Sequence, residues 1–219
     1  MALETVGQSA YMGAARLIED KDTLTDAAVS PLNDRLDSFS QSSQSIMTVE
    51  GRQAAWVGSA VLKGTAWDGP FETPLSANGV YSLACKYVSA ATDLSTHACH
   101  IPAQFIIKCP ESNPQLPVTV LPKLTIDPSA PYPGDVVKFN FKREELKVDG
   151  APLFVAFFNG IYIQFADLGS DNTAVVPGGV QGTVYAAIVK TKASMPELQE
   201  LLTGLVMFEV AFPSYVGNP

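Results

Sequence analysis

The spacing of apolar residues changes part-way along this chain, and the change constrains the fold more than any other feature. Before Pro110, apolar and small residues recur at helical spacing over residues 2–20 and 46–63. After Pro110, they alternate with polar residues, as in DVVKFNFK at 135–142. A three- to four-residue repeat predicts helices, and a two-residue repeat predicts strands that are buried on one face. The sequence therefore predicts an α+β protein whose helices precede its strands.

Each of the two helical segments carries a stripe of apolar and small residues on one face. In the first, the stripe and the positions beside it are Leu3, Glu4, Val6, Ala10, Tyr11, Ala14, Ala15, Leu17 and Ile18. In the second, they are Val49, Glu50, Gln53, Val57 and Ala60, with Gly64 as a C-cap. Two helices cover only part of each other, so this hairpin needs further partners.

The C-terminal part, residues 110–219, begins with the Pro-rich linker PESNPQLPVTVLP and continues with short period-two segments. Pro-Gly-Asp at 133–135, Asn-Gly at 159–160 and the polar run at 169–172 are turn signals. A short helix is expected at 195–202. The remaining strands are predicted in PLFVAFFN, IYIQFAD, TAVVP, GTVYAAIVK and GLVMFEVAF. This number of short strands predicts an immunoglobulin-like β-sandwich with its own core.

Composition and missing motifs exclude several classes of function. The net charge of −8 argues against nucleic acid as a partner, because phosphate binding needs clustered Lys and Arg. No apolar run approaches the roughly 18 residues of a membrane span, and no signal peptide follows Met1. There is also no G-x-S-x-G motif and no phosphate-binding loop. We therefore expect no enzyme activity, no nucleic-acid partner and no membrane partner.

Four stretches together resemble a known family: LETVGQSAYMGAARLIEDKDTLTDAA, IMTVEGRQAAWVGSAVLKG, AWDGPFETPLSANGVYSLA and QFIIKCPESNPQLPV. They are similar to fungal ferritin-like proteins of the stress-response type, which are relatives of the plant desiccation-related proteins. The resemblance implies a four-helix bundle, a Pro-rich linker and a β-rich domain. This chain would hold two of the four helices as a hairpin, so it resembles an N-terminally truncated member.

The resemblance also implies a di-iron site, of which only remnants are expected here. Ferritin-like sites take a Glu from each of two helices and Glu-x-x-His from each of the others. Glu4 matches one lone Glu, and Glu50 matches the Glu of the family motif T-V-E-A-R-H. The His position of that motif is Gln53, a neutral and weak ligand. We expect Glu4 and Glu50 to be vestigial ligands and no cofactor to be bound.

Two stretches, residues 29–44 and 85–103, interrupt segments that the family keeps continuous, and they lack periodicity. We expect irregular insertions at both places. Each can be read as a retained intron, because its codons can begin and end as splice sites do and its removal preserves the reading frame. The second stretch also offers a zinc site as an alternative, although His-Ala-Cys-His is tight for zinc pairs. Its candidate ligands are Cys85, His97, Cys99 and His100.

Two functional hypotheses follow. The first is a non-catalytic ferritin-like protein, stress-associated or structural, which is extracellular or at the cell surface by resemblance. Because we expect the β-sandwich not to cover the helices, this hypothesis includes self-association through the helical hairpin. The alternative is a binding module that recognises glycan or protein through the β-sandwich. Its candidate contact residues are three aromatic side chains, Tyr132, Tyr162 and Tyr215.

Overall fold

The computed structural model describes part of the chain, and it contains helices and two antiparallel sheets. The described residues are 2–15, 38–64, 66–67, 69, 71–88, 121–146, 148, 150–193 and 200–212, without the side chains of 2–4, 15, 38–44 and 85–88. The helices are α1 (Ala2–Ala15), α2 (Ser38–Trp56), which continues as a π-helical turn at Val57–Val61, α3 (Ala77–Val88) and a 3₁₀ helix at Arg143–Leu146. The strands are β1 (Thr125–Asp127), β2 (Val136–Asn140), β3 (Phe154–Asn159), β4 (Tyr162–Asp167), β5 (Thr173–Val175), β6 (Gly182–Val189) and β7 (Val206–Val210).

The strands form one sheet of three and one of four. In the smaller sheet the order is β1-β2-β5, and in the larger it is β4-β3-β6-β7. All pairs are antiparallel. A two-residue turn joins β3 to β4, and its first residue, Gly160, has φ +60°, a conformation that favours glycine.

The two sheets share the larger hydrophobic core. The smaller sheet contributes Val137 and Phe139, and the larger contributes alternate residues of β3, β6 and β7. The rings of Phe139 and Phe157 meet edge to face across this core, with centroids 6.3 Å apart. The predicted alternation of apolar and polar residues in β2 is confirmed, because only Val137 and Phe139 of that strand are buried.

The other face of the four-stranded sheet is covered by helices. Every residue of β6 is buried, because one set of alternate residues faces the smaller sheet while the other packs against helical residues. The second core packs three residues of the helical layer on this sheet: Val6 of α1, Leu75 just before α3 and Leu83 within α3. The sheet residues of this core include Ala156, Phe158, Tyr185, Ala187 and Val189. The molecule therefore has three layers: helices, a four-stranded sheet and a three-stranded sheet.

Polar contacts tie the helical layer to the sheet. The hydroxyl groups of Ser9 and Tyr185 share a buried hydrogen bond at 3.2 Å. The backbone N–H of Gly160 donates to Thr73 Oγ1 at 2.8 Å, and that of Leu121 donates to Ser82 Oγ at 3.1 Å. The first bond fixes α1 on β6, the second joins the segment before α3 to the β3–β4 turn, and the third joins α3 to the segment before β1.

The predicted helices are confirmed over residues 2–15 and 46–61, but their surroundings differ from the prediction. The sheet covers part of α1, so the expectation that the β-rich part leaves the predicted helices uncovered is wrong for α1. The buried face of α1 is also displaced from the predicted stripe. It consists of Thr5, Val6, Ser9 and Gly13, while Ala14 is exposed. The polar side chain of Ser9 can be buried on this face because its hydroxyl group forms a hydrogen bond with the hydroxyl group of Tyr185.

The expectation of irregular insertions is wrong where the structure describes them. Residues 38–44 belong to α2, and residues 85–88 belong to α3, a helix that the sequence analysis did not predict. The rest of both stretches lies outside the described residues.

The C-terminal end of α2 also differs from the prediction. The residue with left-handed backbone after α2 is Lys63, with φ +57°, rather than the predicted C-cap Gly64. Gly64 still donates its N–H to Gly58 O at 2.8 Å, which closes the helix end.

The six predicted strands are confirmed, and β1 is an addition to them. The predicted helix at 195–202 lies mostly outside the described residues, and residues 200–202 are not helical. The Pro-rich linker lies outside the described part from 110 to 120.

Candidate functional site

The predicted metal residues lie where α1 and α2 pack against each other. Glu50 of α2 is half-buried, and its carboxylate lies against Gly7 of α1, where an added Cβ would come within 2.8 Å of Oε2. The reciprocal contact places the Gln8 side chain over Gly51, 3.1 Å from the position of an added Cβ. Glycine on each helix thus makes room for a polar side chain of the other. The Glu50 carboxylate therefore takes part in the helix contact.

Of the other two predicted positions, only Gln53 has a described side chain. Gln53 is exposed on α2, although it follows Glu50 by just under one turn. Glu4 lies in α1, just under one turn before Gly7, and its side chain is outside the described part. Within the described residues, no three His, Cys, Asp or Glu side chains are grouped as metal ligands. The donors described here, one packed carboxylate and one exposed amide, do not fit a di-iron centre.

A cavity of about 450 Å³ lies beside this contact, between α1, α2 and the loop that precedes α3. This cavity could not be predicted from the sequence, because its lining comes from three separate segments. It combines hydroxyl and amide groups with one basic, one acidic and one indole side chain, from Thr5, Gln8, Thr48, Arg52, Trp67 and Glu72. The rest of the lining, Met47, Gly51, Ala54, Ala55 and Ala66, carries no polar side chain, so the cavity combines a few polar groups with an apolar wall.

A second cleft, of about 170 Å³, lies at the β3–β4 turn, and we call it the hairpin cleft. Phe71, from the loop before α3, lines one part, and Ile161 and Tyr162 of the hairpin line another. Phe71 is 51% exposed and Tyr162 is 66% exposed. The remaining lining is Gly69, Asn159, Gly160, Gly179, Gln181 and Phe212, so none of the lining side chains is ionisable near neutral pH.

Hydrogen bonds fix the position of the cleft walls. Asn159 Nδ2 donates to the carbonyl oxygens of Gln181, at 2.6 Å, and Thr183, at 3.0 Å, and Asn159 Oδ1 accepts the Gln181 N–H at 3.2 Å. Gly160 binds Thr73 and also approaches Phe71 so closely that an added Cβ would lie 3.1 Å from the Phe71 carbonyl oxygen. The loop that carries Phe71 is thereby joined to the turn that precedes Tyr162.

The three predicted aromatic contact residues are not all brought together. Tyr162 lines the hairpin cleft, whereas Tyr132 is exposed in a separate turn, where its N–H donates to Asp135 Oδ2 at 2.8 Å. Tyr215 lies outside the described residues. Phe71 and Phe212 were not predicted from the sequence as contact residues. A phenylalanine in a polar, Gly- and Pro-rich stretch, AWDGPFET, was the available signal for the former.

The candidate zinc ligands divide between described and undescribed parts of the chain. Cys85 lies in α3, and its side chain is not among those described. His97, Cys99 and His100 lie outside the described residues.

One carboxyl outside both cavities has a shifted pKa. The Thr173 hydroxyl donates to Asp171 Oδ1 at 2.8 Å, and the Thr173 N–H donates to the same oxygen at 3.2 Å. These bonds stabilise the charged form, so they hold the pKa of Asp171 below its ordinary value. Asp171 therefore stabilises the turn between β4 and β5 through its hydrogen bonds to Thr173.

Comparison of the chain with models of known protein families and with curated proteins gives no match. Among the described helices, none has both the length and the apolar content needed to cross a membrane.

Proposed function

We propose that this chain is a non-catalytic member of the ferritin-like family that its motifs resemble, with a structural or stress-associated role. The observation that supports the proposal most directly is the packing of the Glu50 carboxylate against Gly7. At the position where the family pattern has a metal ligand, this side chain contributes to the α1–α2 contact. Under the proposal, these helices correspond to two of the four bundle helices, and the facing sheets correspond to an immunoglobulin-like sandwich.

Metal analysis combined with thermal unfolding tests this proposal. We expect that anaerobic loading with ferrous iron leaves no stoichiometric di-iron centre and does not raise the melting temperature. A ligand that binds only the folded state stabilises it, so a functional site would raise that temperature. Two tightly bound irons per chain would overturn the proposal.

Two variants separate the structural role of Glu50 from a role in metal binding. Glu50→Ala removes the carboxylate from the α1–α2 contact, so it should lower the melting temperature equally with and without iron. Gln53→Ala alters an exposed neighbour on the same helix and serves as the control, because surface substitutions usually change stability by less than about 0.5 kcal/mol. Destabilisation by Glu50→Ala that occurs only in the presence of iron would contradict the structural role.

The proposal includes self-association through the helical layer. The outward face of α2 keeps Ile46, Val49 and Trp56 at 40%, 37% and 63% exposure. Their spacing places these three residues along one side of the helix. A second copy presents the same stripe, so a twofold arrangement would bury both together. The sheet already covers part of α1, which leaves α2 as the face for pairing.

Sedimentation of the full chain at several concentrations tests the pairing. We expect a dimer that Val49→Asp converts to monomer, because a charge at the centre of the stripe would have to be desolvated. Val136→Asp is the control, because Val136 is 63% exposed on β2, away from the helices. A full chain that remains monomeric at every concentration would contradict self-association. The same chain should be secreted or surface-bound if the family resemblance extends to localisation.

A further inference from the structure

We propose that the hairpin cleft binds a neutral sugar ring of a glycan, held mainly by Phe71 and Tyr162. This inference goes beyond the non-catalytic role proposed above and does not depend on it. It gives the alternative binding-module hypothesis a defined site, of which only Tyr162 was expected from the sequence.

The aromatic side chains indicate the type of contact. Phe71 and Tyr162 remain about half or more exposed although large apolar side chains usually pack, and Ile161 beside them is 44% exposed. Clustered exposed apolar side chains are typical of binding surfaces. An aromatic face is apolar and carries partial negative charge, so it suits the C–H groups on the face of a sugar ring.

The lining excludes charged ligands. Among the residues that line the cleft, none has an ionisable group near neutral pH. A phosphate or carboxylate bound there would lose water without gaining a counter-charge. The polar groups available are the side-chain amide of Gln181 and the hydroxyl group of Tyr162, which can form hydrogen bonds with sugar hydroxyl groups. A neutral ligand with hydroxyl groups and an apolar face matches this combination.

The volume sets the size of the bound unit. The cleft holds about 170 Å³, equivalent to about six water molecules at about 30 Å³ each. A single pyranose ring occupies a space of this order, whereas an extended peptide in an aromatic groove needs a longer depression for successive residues. We therefore expect one sugar residue in the cleft, with the rest of a chain continuing across the surface.

The cleft is also preorganised. The three hydrogen bonds of Asn159 fix the β3 end of the hairpin, and Gly160 fixes the loop that carries Phe71. Binding therefore does not have to order these walls, which lowers the entropic cost of association. Because both aromatic side chains are exposed, either can be shortened without opening a core cavity.

NMR titration of the uniformly ¹⁵N-labelled full chain tests the proposal. The probes are four neutral disaccharides, namely cellobiose, laminaribiose, maltose and N,N′-diacetylchitobiose, with an oligogalacturonate as the charged probe and a Pro-rich peptide as the protein-like probe. We expect at least one neutral disaccharide to bind at millimolar concentration or below, and to shift amides in 71–73, 159–162 and 179–181. The charged probe should bind more weakly.

Variants then assign the contacts. Tyr162→Ala and Phe71→Ala should each raise the Kd about tenfold or more, while Tyr162→Phe retains most of the affinity. Tyr132→Ala is the matched control, because Tyr132 is 63% exposed but lies outside the cleft, and it should leave the Kd unchanged. Three results would overturn the proposal: no neutral disaccharide binds at millimolar concentration, Tyr132→Ala weakens binding as much as Tyr162→Ala, or only the Pro-rich peptide binds.

Discussion

Within the helical layer, α1 packs against the segment that precedes α3 through a close approach at Gly13. A Cβ added there would overlap the carbonyl oxygen of Leu75 and would lie 2.9 Å from its carbonyl carbon. The Leu75 segment cannot easily move away. Its own N–H donates to Ser9 O at 3.2 Å, and Thr73, two residues earlier, accepts the Gly160 N–H. We therefore predict that Gly13→Ala separates α1 from the chain that leads into α3.

The size of the effect follows from three contributions. Overpacking of a well-packed site costs about 1–3 kcal/mol, and loss of the hydrogen bond between Leu75 and Ser9 costs about 1 kcal/mol. The higher helix propensity of alanine offsets about 1 kcal/mol. The net loss in the free energy of unfolding is thus about 1–3 kcal/mol. For a chain of this size, it corresponds to a decrease of about 2–12 °C in melting temperature.

Urea unfolding followed by circular dichroism measures the total effect, and hydrogen exchange locates it. We expect amides of α1 and α3 to lose protection more than those of β6, because the strain lies in the helical layer. Gly178→Ala is the control, since an added Cβ there meets nothing within 4 Å. If Gly13→Ala is as stable as the unmodified chain, or more stable, then α1 does not pack on the Leu75 segment and the reasoning is refuted.

Three further predictions concern single side chains. Tyr185→Phe removes the buried bond to Ser9, so it should cost about 1–2 kcal/mol in urea unfolding, whereas the exposed Tyr132→Phe should cost nothing measurable. Because the pKa of Asp171 is lowered, its carboxylate stabilises the fold above the unfolded-state pKa, and this contribution disappears as the pH falls through the folded-state pKa. Asp171→Asn should therefore be less stable than the unmodified chain at neutral pH and equally stable in acid. A difference in stability between the two proteins that does not change with pH would contradict this. Lys63→Gly relieves the left-handed backbone at φ +57°, so it should raise stability by about 1 kcal/mol, and a decrease in melting temperature would contradict the helix end described above.

The strands were predictable because their signals are local. Period-two alternation and the turn residues at 159–160 placed β2 to β7 within two residues of their observed ends. The three-residue β1 was missed because so short a strand shows no alternation. The sequence of β6, GTVYAAIV, also contained an unused signal, since an unbroken apolar run is typical of a strand buried on both faces.

The helical layer was harder to predict, because its decisive contacts are long-range. Ser9 and Thr5 are polar, so the apolar stripe of α1 was placed one step away from the face that is buried. Only the position of Tyr185, far along the chain, explains why Ser9 is buried. The helix α3 was missed because its sequence crosses residue 85, where an irregular insertion was expected.

The candidate sites show the same limit. Glu50 and Gln53 were identified by their match to the family motif, but the motif could not indicate that the carboxylate of Glu50 packs on Gly7 while Gln53 remains exposed. The hairpin cleft unites Phe71 and Tyr162 from distant parts of the sequence. Only the chain topology brings such residues together, so neither could be assigned to a shared cleft beforehand.

The four-stranded sheet gives α1 and α3 a surface on which to bury their apolar residues. A helix in a four-helix bundle buries its apolar stripe against neighbouring helices, whereas here the outer face of β3 and β6 covers Val6 and Leu83. The sheet reaches α1 and α3, but the outward side of α2 keeps Trp56 exposed. Under the self-association proposed above, pairing between chains therefore needs to cover only one helix face. Such a contact buries less apolar surface, and the dimer should dissociate at dilution while each chain remains folded.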